Sequence, residues 1–121
     1  MALILIVDDS PTEVHVIRRV LESHGFQTAT AGDGAEGIRM AKQMKPDLIF
    51  MDIVMPGVNG YQATRTLAAD PDTSRIPVIM VTSKSQPTDR VWGMRQGAYD
   101  YLVKPVSAEM LVEKAQAALA G

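Results

Sequence analysis

Five polar residues of this sequence each stand where a short apolar run stops. Asp8 and Asp9 follow Leu3 to Val7, Asp52 follows Asp47 to Met51, Thr82 follows Pro77 to Val81, and Lys104 follows Tyr99 to Val103. Two adjacent carboxylates repel each other, so a pair at the mouth of a buried segment calls for a counter-charge. Three carboxylates with one ammonium make a hard-oxygen site with surplus negative charge. Such a site suits Mg²⁺, which takes oxygen ligands and keeps several waters. Taken singly, each residue has an ordinary reading. Asp8 and Asp9 could be a solvated turn, Lys104 a surface lysine, and Asp52 a loop residue before Met55-Pro56-Gly57. Only their shared position at the ends of separate runs points to a site.

That site requires elements that bring the ends together. Leu3 to Val7 is apolar throughout, as a strand buried on both faces is. Ser10-Pro11-Thr12-Glu13 reads as a capping box with proline at the first helical position. Val14, Ile17 and Leu21 recur at helical spacing, and Gly25 supplies a stop. Phe26 to Ala31 is a second, weaker strand, and Asp33 with Glu36 opens a helix to about Met44. The third strand, Asp47 to Met51, precedes a helix capped by Asn59 that reaches about Ala69. The fourth, Pro77 to Val81, precedes a helix opened by Ser85 and Pro87 that reaches about Gln96. The fifth, Tyr99 to Val103, precedes a helix capped by Ser107 that reaches about Leu119. Five repeats of strand then helix imply an α/β fold, a doubly wound parallel sheet with helices on both faces. In such sheets ligands bind beyond the carboxyl ends of the strands, which is where the five polar residues stand.

Composition narrows the classes. The chain has 121 residues, 46% apolar and 21% charged, which suits one globular domain over residues 1–121. It has no cysteine, which removes disulfides, thiolate metal sites and cysteine nucleophiles. A net charge of −2 without a basic run argues against nucleic acid. No run approaches the roughly 20 apolar residues of a membrane span, and the first residues lack the pattern of a signal peptide. A cytoplasmic setting is expected.

The pattern resembles the receiver domain of two-component response regulators along the whole chain. The residues that carry it are Asp8-Asp9, Asp52 in "MDIVMPGVNG", Thr82 in "VIMVTSK" and Lys104-Pro105 in "YDYLVKP". The resemblance implies a CheY-like sheet of five strands in the order 2-1-3-4-5 with five helices. It implies that Asp52 is the phosphoacceptor, attacking the phosphohistidine of a partner to give an aspartyl phosphate. Asp9 and Asp52 would ligate Mg²⁺ with the main-chain carbonyl of Val54, and Asp8 would act through a bound water. Lys104 would pair with a phosphoryl oxygen, Thr82 would donate to another, and the Lys104–Pro105 bond would be cis. Val54 and Lys84, two residues past Asp52 and Thr82, would flank the phosphoryl group and tune its hydrolysis. Thr82 and Tyr101 would form the switch, with Tyr101 at the sheet edge beside the fourth helix and on the same face as Tyr99. On phosphorylation Thr82 would move toward a phosphoryl oxygen and vacate space, and Tyr101 would rotate inward, reshaping the surface of the fourth helix, fifth strand and fifth helix.

The implied phosphodonor is a histidine kinase of the CheA type or a phosphotransfer domain, with a downstream effector that stays unspecified. No nucleic acid and no membrane enter, and a monomer is expected. The segments "ILIVDDSPTE", "MDIVMPGVNGYQATR" and "VWGMRQGAYDYLVKPV" are similar to single-domain regulators of chemosensory systems that control type IV pili and twitching motility. On that reading there is no output domain. A regulator of another system, such as flagellar chemotaxis, is the alternative.

Two other classes compete. A Mg²⁺-dependent phosphatase of the haloacid dehalogenase type also uses an aspartate nucleophile, but it needs a second acid two residues on, where this chain has Val54. A nucleotide-binding module needs a glycine-rich first turn, where this chain has Asp8-Asp9-Ser10-Pro11. The reading is therefore a signalling protein whose chemistry is confined to its own phosphorylation and dephosphorylation. The remaining features have plain assignments. His15 and His24 are exposed and form no metal pair, the eight methionines fill the core and helix undersides, and Gly57 and Gly60 shape the loop after Asp52. Trp92 is half-buried packing in the fourth helix or an anchor for a partner.

Overall fold

The structure, a computed structural model, describes residues 1–121. Five strands alternate with five helices: β1 (Leu3–Val7), α1 (Pro11–Ser23), β2 (Gln27–Ala31), α2 (Gly34–Met44), β3 (Leu48–Met51), α3 (Gly60–Ala69), β4 (Val78–Thr82), α4 (Pro87–Arg95), β5 (Asp100–Val103) and α5 (Ala108–Ala120). All neighbouring strands are parallel, in the order β2-β1-β3-β4-β5. The order reverses between β1 and β3, whose ends carry the acidic residues. The register opposes Val7 to Met51, so Asp8 and Asp52 leave the sheet side by side.

Alternation along the strands feeds two cores. Ile4, Ile6, Phe50 and Ile79 pack with Ile17 and Leu21 of α1 and with Leu111 and Ala115 of α5. Leu5, Val7, Ile49 and Met51 pack with Ala41 of α2 and with Ala63 and Leu67 of α3. β1, β3 and β4 are covered on both faces and are apolar throughout but for Thr82, whereas edge strand β2, QTATA, is only partly buried. A smaller third cluster of Ile53, Met80, Ala98 and Tyr101 lies toward α4, with Tyr61 packed against it.

The helix starts follow local chemistry, with two corrections. Ser10 accepts from the Glu13 N–H, but the other half of the expected capping box is missing. The Ser10 N–H goes to Asp8 Oδ1 instead, at 2.9 Å, and Glu13 lies toward Lys104. Asp33 accepts from the Glu36 N–H, Asn59 and Gln62 form a full capping box, and Ser107 accepts from the Met110 N–H. α4 starts at Pro87 with Gln86 before it, not with Ser85. Thr82 is the last residue of β4 rather than the first beyond it, and Lys104 N–H donates to its carbonyl at 2.8 Å.

α4 buries the fewest residues of the five helices. Of its residues only Gly93 is buried, while Val91, Trp92 and Met94 are exposed. Trp92 is 49% exposed, half-buried at the surface. His15 and His24 are exposed as expected. The methionines divide: Met51, Met55 and Met80 are in the core, but Met1, Met44, Met94 and Met110 are exposed, so the expectation of a methionine-filled interior holds only in part. No helix is long and apolar enough to cross a membrane.

Candidate functional site

The acidic residues converge at the carboxyl ends of β1 and β3. Asp8 is 4% exposed and Asp52 8%, while Asp9 is exposed. One carboxylate oxygen from each of the three lies within 4.8 Å of the others. Three hard anionic oxygens at that spacing fit a small divalent cation. Val54 stands in the loop after β3, and because its side chain carries no donor atom it could offer a cation only its main-chain carbonyl.

Lys104 is the cation built into this cluster. Its Nζ donates to Asp8 Oδ2 at 3.0 Å and to Asp52 Oδ2 at 3.4 Å, and Glu13 Oε2 is 3.8 Å away. Burial works against the ammonium, but the hydrogen bond to Asp8 and the charges of Asp52, Asp8 and Glu13 outweigh it and raise its pKa. Asp52 shifts upward for the opposite balance. Burial and the Asp8 charge favour its neutral form more than Lys104, the Ile53 N–H and the Thr82 hydroxyl favour the anion. One ammonium shared between two buried carboxylates satisfies neither fully. The cluster therefore keeps an unmet demand for positive charge beside Asp52 Oδ2, while Oδ1 accepts from the Ile53 N–H at 2.7 Å.

The loop that leaves Asp52 is shaped by glycine. Gly57 has φ +73°, a region that side chains rarely adopt. Gly60 opens α3, and its N–H donates to the Ile53 carbonyl at 2.9 Å. A Cβ there would run into the Asp52 carbonyl oxygen and the Ile53 Cα. On the other side, the cis Lys104–Pro105 bond follows β5, and Lys104 N–H on the Thr82 carbonyl ties the end of β5 to that of β4.

Thr82 is fully buried, and its Oγ1 accepts from the Lys84 N–H at 3.4 Å. Tyr101 does lie on edge strand β5 beside α4, but it is only 4% exposed, so the inward position expected to follow phosphorylation is the one the structure already shows. Its ring faces Gly93, where a Cβ would stand 3.1 Å from the ring, and its hydroxyl donates to the Lys84 carbonyl at 2.8 Å. Burial, and then Tyr61 and Asp89 nearby, raise the pKa of this phenol. Tyr99 does not share that burial: it precedes the strand and is exposed. The sequence reading brought Asp8, Asp9, Asp52 and Lys104 together and placed Thr82 and Tyr101 beside them. It missed Tyr61 and Asp89. The Tyr61 hydroxyl donates to the Asp89 carbonyl at 3.2 Å, and Lys84 Nζ is 3.8 Å from Asp89 Oδ1. Asp89 carried a signal in its place three residues past Gln86, where its carboxylate accepts from the Gln86 N–H. Tyr61 carried none, because an aromatic residue early in a helix is ordinary.

Comparison with known proteins agrees with this geometry. The family model described as response regulator receiver domain matches residues 4–116. Protein PilH of Pseudomonas aeruginosa is 59% identical over 121 residues, covering all of both chains. The chemotaxis protein CheY4 of Vibrio cholerae superposes with a TM-score of 0.92 at 30% identity, over 98% of this chain and 99% of that one. The receiver domain of the sensor histidine kinase PA1611 of Pseudomonas aeruginosa, solved with a magnesium ion coordinated in its active-site cleft, gives a TM-score of 0.92 at 32% identity, over 99% of this chain and 98% of that one.

Proposed function

The chain belongs to the response regulator receiver domain family, and we propose that Asp52 is its phosphoacceptor, taking a phosphoryl group from a histidine kinase of the CheA type or a phosphotransfer domain. The observation that carries this reading is the position of Asp52: a buried carboxylate whose free edge faces a shared ammonium and two further carboxylates. An Asp52 oxygen attacks the phosphorus of a phosphohistidine, the phosphorus–nitrogen bond breaks, and its electron pair stays on the imidazole. Lys104 then shifts from the carboxylates to a phosphoryl oxygen, and the Thr82 hydroxyl donates to another. Asp8, Asp9 and Asp52, with the Val54 carbonyl, would hold Mg²⁺, which offsets the charge on the transferring group. Val54 has no polar group to orient water, which favours slow hydrolysis of the acyl phosphate. No other turnover is proposed: the position two residues past Asp52 lacks the acid that an aspartate-nucleophile phosphatase requires.

The physiological setting proposed is control of type IV pili and twitching motility, supported by 59% identity to PilH across the full chain. Restored twitching in a Pseudomonas aeruginosa strain lacking PilH supports this setting. A failure there, combined with phosphotransfer from a flagellar chemotaxis kinase, would move the chain to the alternative system. The general reading is tested by phosphotransfer from purified histidine kinases. It fails if neither a kinase nor acetyl phosphate labels the protein.

Tyr101 is proposed as the reporter of Asp52 occupancy. It is held inward against Gly93 and the Lys84 carbonyl, and Thr82 is two residues from Lys84. A turn of Thr82 toward a phosphoryl group would vacate space beside Tyr101 and favour this inward seat over an outward one. Beryllofluoride with Mg²⁺ stands in for the phosphoryl group. NMR shift changes in α4 and β5 on adding it are expected to shrink by at least half in Tyr101→Ala. Changes of equal size in both proteins would show that Tyr101 is not the switch.

A further inference from the structure

The helix behind the acidic residues carries glycine where it meets the end of β1. Gly34, Gly37 and Ala41 recur three and four residues apart along α2 and form its buried face. Gly37 is a poor helix former inside a helix, and its surroundings show what its size permits. A Cβ there would stand 2.9 Å from each of the two methyls of Val7, closer than real side chains approach. Val7 is buried, ends β1 and is stiff at χ1 because it is β-branched. Two of the acids depend on this residue. Asp8 follows it in the chain, and its carbonyl accepts from the Asp52 N–H at 2.9 Å. One turn earlier in α2, a Cβ on Gly34 would run into the carbonyl of Val58, in the loop between Asp52 and α3.

We infer that Gly37 is a positioning residue: its missing side chain lets α2 lie against Val7, and this contact sets the spacing of the Asp8 and Asp52 carboxylates. The inference rests on the reading of Asp8, Asp9 and Asp52 as a Mg²⁺ and phosphoacceptor site. A methyl added at Gly37 can be accommodated in two ways, and both reach that site. If Val7 yields, Asp8 and the Asp52 N–H move with it. If α2 yields instead, Gly34 leaves the Val58 carbonyl, and the loop that contains Val54 loses its support from α2. The rest of α2 opposes a wholesale retreat. Ala41 is fully buried, and Lys42 Nζ lies 3.0 Å from Asp70 Oδ2 at the end of α3. Mg²⁺ affinity is sensitive to such displacements, because the ion demands near-ideal octahedral geometry at short distances.

Calorimetric titration of Mg²⁺ alone into wild type, Gly37→Ala, Val7→Ala and the double variant tests this, with thermal unfolding to confirm that each protein folds. Gly37→Ala is expected to weaken Mg²⁺ binding about five- to tenfold, since small misplacements of reacting groups already have effects of that size. Val7→Ala removes both methyls that a Cβ at position 37 would meet. In the double variant the affinity is therefore expected to return to that of Val7→Ala alone. If Gly37→Ala does not fold, Val7→Ile crowds the same contact from the strand side, and its Mg²⁺ affinity is expected to fall in the same direction. A Gly37→Ala protein that loses stability but keeps wild-type Mg²⁺ affinity would reveal ordinary core packing and overturn the inference. So would a loss of affinity that Val7→Ala fails to rescue, or a folded Val7→Ile protein that binds Mg²⁺ as wild type does. A wild type that binds no Mg²⁺ and takes no phosphate from acetyl phosphate overturns the reading of the acidic site itself, and the inference falls with it.

Discussion

Lys104→Met is expected to destabilise the metal-free protein by about 3 kcal/mol, because removing one member of a buried ion pair strands the others. Asp8 and Asp52 are both buried, and Lys104 is the one ammonium within reach of both. Methionine keeps most of the stem's packing, so the loss isolates the charge. Mg²⁺ is expected to return much of the difference, since a cation bound to the folded state alone adds stability by mass action. Urea unfolding of both proteins, with and without Mg²⁺, measures this. A loss below about 1 kcal/mol without metal would show that Asp8 and Asp52 do not depend on Lys104.

Gly60→Ala is the second large effect, and it acts through the backbone. The added methyl would overlap the Asp52 carbonyl oxygen and the Ile53 Cα, neither of which can yield by changing rotamer. Either α3 backs away and loses the Gly60–Ile53 hydrogen bond, or the Asp52 peptide moves. Overpacking of this kind costs about 3 kcal/mol when nothing flexible can absorb it. Labelling by acetyl phosphate is expected to fall at least about tenfold, because a small displacement of a reacting group already costs that much. Thermal unfolding and labelling rates test the two halves. A variant of wild-type stability and labelling would mean that α3 can shift without disturbing Asp52.

The strand ends were legible because apolar runs terminate abruptly at charged or hydroxyl residues, and a parallel sheet gathers such ends on one rim. The pairing of Val7 with Met51 is what turns two separate acidic positions into neighbours, and it follows from strand order rather than from local pattern. Less could be read where side chains choose between partners. Ser10 and Glu13 matched a capping box, yet Asp8 claimed the Ser10 N–H and Glu13 lies toward Lys104. The sequence cannot rank those competitors, because Lys104 is 96 residues from Asp8. The burial of Tyr101 escaped strand alternation for a similar reason. Its cover is Gly93, on a helix whose own apolar pattern is weak and whose larger apolar residues stay exposed. Tyr61 and Asp89 became visible only when α3 and α4 were placed side by side.

The central claim is that the carboxylate of Asp52 carries the phosphoryl group. Intact-mass and peptide mass spectrometry after treatment with acetyl phosphate and Mg²⁺ tests it most directly, using wild type and Asp52→Asn. The substitution removes a buried charge that its surroundings disfavour, so the variant is expected to fold at least as stably as wild type. Wild type is expected to gain one phosphate, located on the peptide that contains Asp52, and Asp52→Asn none. A folded Asp52→Asn protein labelled to the same extent as wild type would contradict the account.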